Sequence, residues 1–224
     1  SAVIYLAETV PQDFAARLRA KGADVVRAGA DYEASMQAAA DAAQAHGWTL
    51  LSDSSWPGYT ELPLRVMEGY LQLAAEVAAQ IDMPPSHIVL QAGVGGMAAA
   101  VAAHARRVWG NGPQIIVVEP EAAPCMREGI RAGKVVDTSG PASSMGRLDC
   151  KTASMVALDG LARDADAFVT ITEAEAARGV DLLARHDLQS TPSGAAGIAA
   201  LLGGLELPAD AHVLAILSEG PERG

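Results

Sequence analysis

Ile88-Val89-Leu90-Gln91-Ala92, followed by Gly93-Val94-Gly95-Gly96-Met97 and an Ala-rich continuation to Ala105, is the stretch on which the fold turns. The apolar, β-branched run reads as a buried strand, the glycine cluster as a tight turn, and the alanines as a helix that starts at the turn. Glycines at 93, 95 and 96 let main-chain N–H groups approach a ligand closely. The helix start adds unpaired amides and a partial positive charge of roughly half a proton, so a phosphate is favoured there. A glycine-lined turn that only joins a buried strand to a buried helix is the plainer alternative.

Working outward, short β and α patterns alternate along the chain. Before the loop, strands are predicted at Ala2–Leu6, Asp24–Arg27 and Trp48–Leu51. Helices lie between them, from Pro11 to Ala20 and from Tyr32 to His46, with Gly22 and Gly47 as stops. A polar loop, Ser52-Asp53-Ser54-Ser55-Trp56-Pro57-Gly58-Tyr59, leads to a long helix over about 63–81. After the loop come strands at Gln114–Glu119, Ala167–Ile171 and His212–Leu217, with helices around 123–132, up to about 163, Glu173–His186 and up to Leu202. Thr172 is a candidate N-cap. The stretch Asp137 to Lys151 is irregular. The series predicts an α/β protein, three layers α/β/α around a mainly parallel sheet, with a small lobe over 1–55 and a large lobe over 56–224.

Composition limits the function classes. The 224 residues are 50% hydrophobic, enough for a sizeable core, and carry a net charge of −11. That charge argues against nucleic acid or an anionic membrane as partner, so a phosphate must be held by local geometry. Cys125 and Cys150 have neither a close spacing nor a metal-type spacing, which fits a reducing cytoplasm without a disulfide framework. The five histidines form no ligand pattern and are expected at the surface or at helix ends; no metal site is expected. The apolar run 88–103 is interrupted by three glycines and followed by His104, Arg106 and Arg107, which excludes it as a membrane span.

Two cofactor classes fit the glycine loop on these grounds. Gly93-Val94-Gly95-Gly96-Met97-Ala98 satisfies G-x-G-x-x-A, and Glu119 ends the next strand, where a dinucleotide ribose needs an acid. A phosphate-bearing cofactor of another kind fits equally. A non-catalytic interaction module needs neither.

The ordered pieces Ser52–Tyr59, Gly93–Met97, Val118-Glu119-Pro120, Gly146-Arg147-Leu148-Asp149-Cys150, Ser193-Gly194-Ala195-Ala196-Gly197 and Ser218-Glu219-Gly220 resemble the fold-type II pyridoxal-phosphate enzymes related to the tryptophan synthase β-subunit. Within them, the similarity is to the branch that eliminates ammonia from 2,3-diaminopropionate. The resemblance implies pyridoxal 5'-phosphate as cofactor, with Gly93, Val94, Gly95, Gly96 and Met97 around its phosphate and the Ser218 hydroxyl on its pyridine nitrogen. It implies Asp53 as the catalytic acid near the substrate's amino groups, with Trp56 and Tyr59 as pocket walls. The implied reaction is α,β-elimination, giving pyruvate and ammonia from a small amino-acid substrate in a homodimeric enzyme. A serine or threonine dehydratase, or a β-replacement enzyme, is the neighbouring reading.

The resemblance also implies a Schiff-base lysine and an S-G-N-H-G segment upstream of Ser1. Neither Lys21, Lys134 nor Lys151 matches that lysine's place. The chain is therefore expected to be incomplete at its N-terminus, inactive alone, and bare along surfaces that the upstream part would cover.

Overall fold

In the computed structural model, which describes residues 1–220, β1 (Val3–Leu6) and β2 (Asp24–Arg27) form a parallel pair with Val3 opposite Asp24. The crossover between them is α1 (Gln12–Ala20), which follows Pro11. The next helix, α2 (Tyr32–His46), begins where the Asp31 carboxylate accepts the Ala34 N–H at 2.9 Å, and ends at Gly47 in the left-handed conformation. These elements make one compact unit, Ser1–Leu51.

The strand predicted at Trp48–Leu51 does not form. The Trp48 N–H turns back to Ala43 O at 2.8 Å, a helix-closing bond, and its indole stacks on His46 at 4.5 Å. The start of this segment is thus committed to the end of α2, and the β1–β2 sheet contains two strands.

A second compact unit starts at Ser52. Its long first helix, α3 (Glu61–Gln80), has Pro63 in its first turn, where no amide is needed, and runs through Gly69 unbroken. Then follow β3 (His87–Gln91), α4 (Gly96–Trp109), β4 (Gln114–Pro120), α5 (Cys125–Ala132), α6 (Met155–Asp164), β5 (Ala167–Ile171), α7 (Glu173–Arg185), α8 (Ala196–Leu202) and β6 (Val213–Ala215). Thr172 and Glu175 close a capping box at the start of α7. Residues 221–224, the end of the large lobe as read from the sequence, lie outside the described residues.

Among the described residues the four strands of this unit are all parallel, in the order β5-β4-β3-β6. Alternate residues of β3 and β4 enter two cores. Ile88, Leu90, Ile115 and Val117 meet Ala98, Ala102, Ala157 and Leu161 of α4 and α6 on one face. Val89, Ile116 and Val118 meet Ala176, Ala196 and Ala199 of α7 and α8 on the other. Helices on both faces make the three layers, and the alanines let them lie close. Fully burying each Ile, Leu or Val contributes about 1.5–3 kcal/mol.

His87 departs from the surface role expected for it. It is buried at the start of β3, with Nδ1 2.9 Å from Ser86 Oγ, because strand pairing with β6 draws it inside. The irregular stretch before α6 is pinned by Lys151, whose Nζ donates to Ala122 O (2.9 Å), Pro141 O (3.1 Å) and Asp149 Oδ1 (2.6 Å).

The strand order places the site. From β3 the chain moves to β4 and then β5 on one side, while β6 joins on the other. Connections therefore diverge between β3 and β6, and the crevice outside the carboxyl ends of such a pair is where open α/β sheets take ligands.

Candidate functional site

The glycine loop leaves the carboxyl end of β3 in that crevice. Gly95 has φ +95°, and a Cβ there would lie 2.1 Å from Met126 Cε and 3.2 Å from Ala157 Cβ. Both backbone angle and space demand glycine. At Gly93 a Cβ would stand 2.8 Å from Arg147 O and 3.0 Å from Cys150 Sγ. The first amide to close the α4 ladder is that of Ala99, onto Gly95 O at 2.9 Å, which leaves the amides of Gly96, Met97 and Ala98 outside the helix's own bonds. A glycine-rich loop that ends in three such amides is a cradle for a phosphate.

Ser218 follows β6 at the same edge, because β6 pairs directly with β3. Its Oγ lies 3.0 Å from Nε2 of Gln91, the last residue of β3. The neighbouring Glu219 fixes this turn: its carboxylate meets the Arg147 guanidinium at 3.0 Å and the Thr191 hydroxyl, and its carbonyl accepts from Ser190 Oγ at 2.9 Å. Ser218 is solvent-exposed yet held from both sides.

Asp53 lies on an exposed turn whose backbone is clamped. Ser52 N–H donates to the Tyr59 hydroxyl at 3.0 Å, and Ser54 N–H to Ser52 Oγ at 3.1 Å. Trp56 and Tyr59 exchange backbone bonds across a Pro57-Gly58 turn and stack their rings at 4.3 Å. Ser55 then joins this turn to Ser154: N–H to Oγ at 3.0 Å, and Oγ to Oγ at 2.7 Å. Ser154 N–H in turn donates to Val94 O at 3.1 Å. One buried serine thus bonds both the Asp53 turn and the glycine loop. Sequence reading passed over it, since its position before α6 looks like an ordinary N-cap.

Glu119 is fully buried, and its two carboxylate oxygens accept the Met126 and Arg127 amides at 2.7 and 2.8 Å. Both oxygens are spent on the first turn of α5, so the acid that a dinucleotide ribose needs is missing from the end of β4. Burial outweighs those two bonds and raises the carboxyl to about 7. Beside it, burial and the adjacent Glu119 push the Cys125 thiol far up, and its Sγ lies 3.5 Å from Gly93 O. Neither cysteine is in a disulfide and both lie beside Gly93, an arrangement their spacing did not suggest.

Comparison with known proteins covers nearly the whole chain. The profile of a family described as pyridoxal-phosphate dependent enzyme matches residues 1–219. Diaminopropionate ammonia-lyase of Salmonella typhimurium is 31% identical over 249 residues, covering 98% of this chain and 61% of that protein. The human protein named serine dehydratase-like is 28% identical, covering 91% of this chain and 60% of its own length. The chain therefore spans about three fifths of these relatives. The crystal structure of Escherichia coli diaminopropionate ammonia-lyase in complex with an aminoacrylate-PLP azomethine reaction intermediate superposes with a TM-score of 0.89 at 30% identity, over 98% of this chain and 62% of that one. The fold is the fold-type II architecture expected from the sequence.

Proposed function

We infer the function from one premise: the chain belongs to the pyridoxal-phosphate dependent enzyme family. It is read as the part of an ammonia-lyase that carries out α,β-elimination on 2,3-diaminopropionate, yielding pyruvate and ammonia. The observation that carries this reading is the likeness to diaminopropionate ammonia-lyase, in sequence and in fold, over 98% of the chain.

The residues present fit the cofactor. Gly93 and Gly95 form a cradle that a Cβ would fill, and Ser218 offers a hydroxyl at the same sheet edge. When bound, pyridoxal phosphate supplies an electron sink for charge developing at the substrate's α-carbon. In this reading Gly93, Val94, Gly95, Gly96 and Met97 hold its phosphate with backbone amides, and Ser218 bonds its pyridine nitrogen. Asp53 faces the cationic amino groups of the substrate and moves a proton at the departing β-nitrogen. The clamped serine turn keeps that carboxylate in register with the phosphate loop. Trp56 and Tyr59 wall the substrate side.

The likeness to serine dehydratase-like protein supports a second reading, elimination from serine or threonine. Formation of the 2-oxo acid by the full-length protein, pyruvate from both enantiomers of 2,3-diaminopropionate and from serine, and 2-oxobutanoate from threonine, separates the two. No turnover of diaminopropionate would sink the first. A homodimer and a cytoplasmic location complete the proposal, supported by the family resemblance and by two cysteines outside any disulfide; light scattering on the purified protein tests the dimer. The net charge of −11 supports a small molecule over nucleic acid as partner. Among the described residues no helix is long and apolar enough to cross a membrane.

A further inference from the structure

Gln91 closes β3 immediately before the glycine loop, and it is 2% exposed. Its Nε2 lies 2.9 Å from Ile216 O, 3.0 Å from Ser218 Oγ and 3.5 Å from Gly194 O. Its Oε1 is buried and, among the described residues, has no hydrogen-bond partner; it sits 3.3 Å from where a Cβ on Gly197 would be. The two carbonyls decide which way the amide faces. Carbonyl oxygens only accept, so the flipped amide would set Oε1 against both of them.

An amide nitrogen carries two hydrogens. The two shorter contacts take them, one to Ile216 O and one to Ser218 Oγ. Ser218 therefore accepts from Gln91, and its own proton is left for a third group. Accepting one bond also polarises the hydroxyl and strengthens it as a donor. An unpaired buried acceptor is unfavourable, and an apolar side chain of similar length would avoid it. What the amide adds over such a side chain is these two directed hydrogens.

We propose that Gln91 is a positioning residue that turns the Ser218 hydroxyl into a hydrogen-bond donor toward the cofactor's ring nitrogen, holding that nitrogen unprotonated. This rests on the reading of the site as one for pyridoxal phosphate. An unprotonated ring withdraws fewer electrons, which favours loss of a β-substituent over transfer of the amino group to the cofactor.

The test uses full-length protein loaded with pyridoxal phosphate carrying 15N in the ring, whose nitrogen NMR shift reports ring protonation independently of turnover. In the wild-type protein the signal stays at the unprotonated position across the pH range in which the protein is folded. In Gln91→Glu, nearly identical in shape, the buried carboxyl donates to Ser218 while it is protonated, as the amide does, and the signal stays in place. Where it ionises at high pH it accepts the Ser218 O–H, an oxygen lone pair turns to the ring, and the signal moves toward the protonated position. Gln91→Met frees the hydroxyl to rotate and moves the signal less far in the same direction; a merely structural Gln91 would lower stability and leave the shift in place. A protonated ring in the wild type, which needs no variant to detect, overturns the inference and leaves the proposed function standing, as does an unmoved signal in Gln91→Met. Failure of the wild-type protein to take up the cofactor overturns the proposed function and this inference together.

Discussion

Ser55 Oγ and Ser154 Oγ lie 2.7 Å apart in the interior, and the Ser154 hydroxyl also accepts the Ser55 N–H at 3.0 Å. Through this pair the turn that carries Asp53 is fastened to the residue whose own amide holds Val94 O. Ser154→Ala removes the shared hydroxyl and leaves a buried amide without its partner, which destabilises by about 1–3 kcal/mol. Urea unfolding should show the midpoint falling with the slope unchanged. Catalysis should fall further than stability alone explains, because the Asp53 turn loses its anchor while the cradle glycines remain. A Ser154→Ala protein with full activity would mean that the turn is held elsewhere.

Gly95→Ala meets two obstacles at once. The backbone there has φ +95°, and the added methyl would overlap the Met126 Cε position. Strain of about 1–3 kcal/mol is relieved by moving the loop, which displaces the amides offered to the phosphate. Affinity for pyridoxal phosphate should drop at least about tenfold, read from a cofactor absorbance titration. Retained affinity would place the phosphate at another loop.

Much of this architecture was legible because it is local. The apolar run of β3, the glycines after it and the alanines of α4 each announce their own conformation. Bonds between distant segments do not. Gln91 reads as one more strand residue until β6 brings Ser218 beside it, although an amide that ends an otherwise apolar strand just before a glycine loop was an available signal. Trp48–Leu51 has strand-like residues, yet what decided its path was the Trp48 amide returning to Ala43, a bond made by the helix before it. Glu119 reads as a ribose acid from its place at the end of β4, and only the fold shows both oxygens capping α5.

Glu119 also gives the protein a pH signature. Burial raises its carboxyl from 4.5 to about 7 in the folded state. Between those values the folded protein holds a proton that the unfolded chain has released. The group's contribution is therefore fully present below about pH 4.5 and is lost as pH rises through about 7. The size is on the order of 3 kcal/mol. Glu119→Gln cannot titrate, so the stability of the wild-type protein relative to this variant should decline from pH 5 toward pH 8, about that window. Parallel unfolding curves for the two proteins across the window would show that the carboxyl is ionised throughout.

Asp53→Asn separates chemistry from structure. The side chain is exposed on its turn, and Asn keeps its shape and an acceptor oxygen, so the change in stability should stay within about 0.5 kcal/mol. Cofactor uptake should match the wild type, since the cradle and Ser218 belong to other segments. What is lost is a carboxylate that can hold a cationic amine and move its proton, a role that contributes about 10²–10⁴-fold in rate. Pyruvate formation from 2,3-diaminopropionate by the full-length protein should fall in kcat by that order. Turnover of serine, which brings a hydroxyl in place of the second amine, should fall less. The ratio of the two losses matters more than either alone: an equal fall for both substrates would make Asp53 a general acid without preference for the amine, and a kcat within twofold of wild type would remove it from the mechanism.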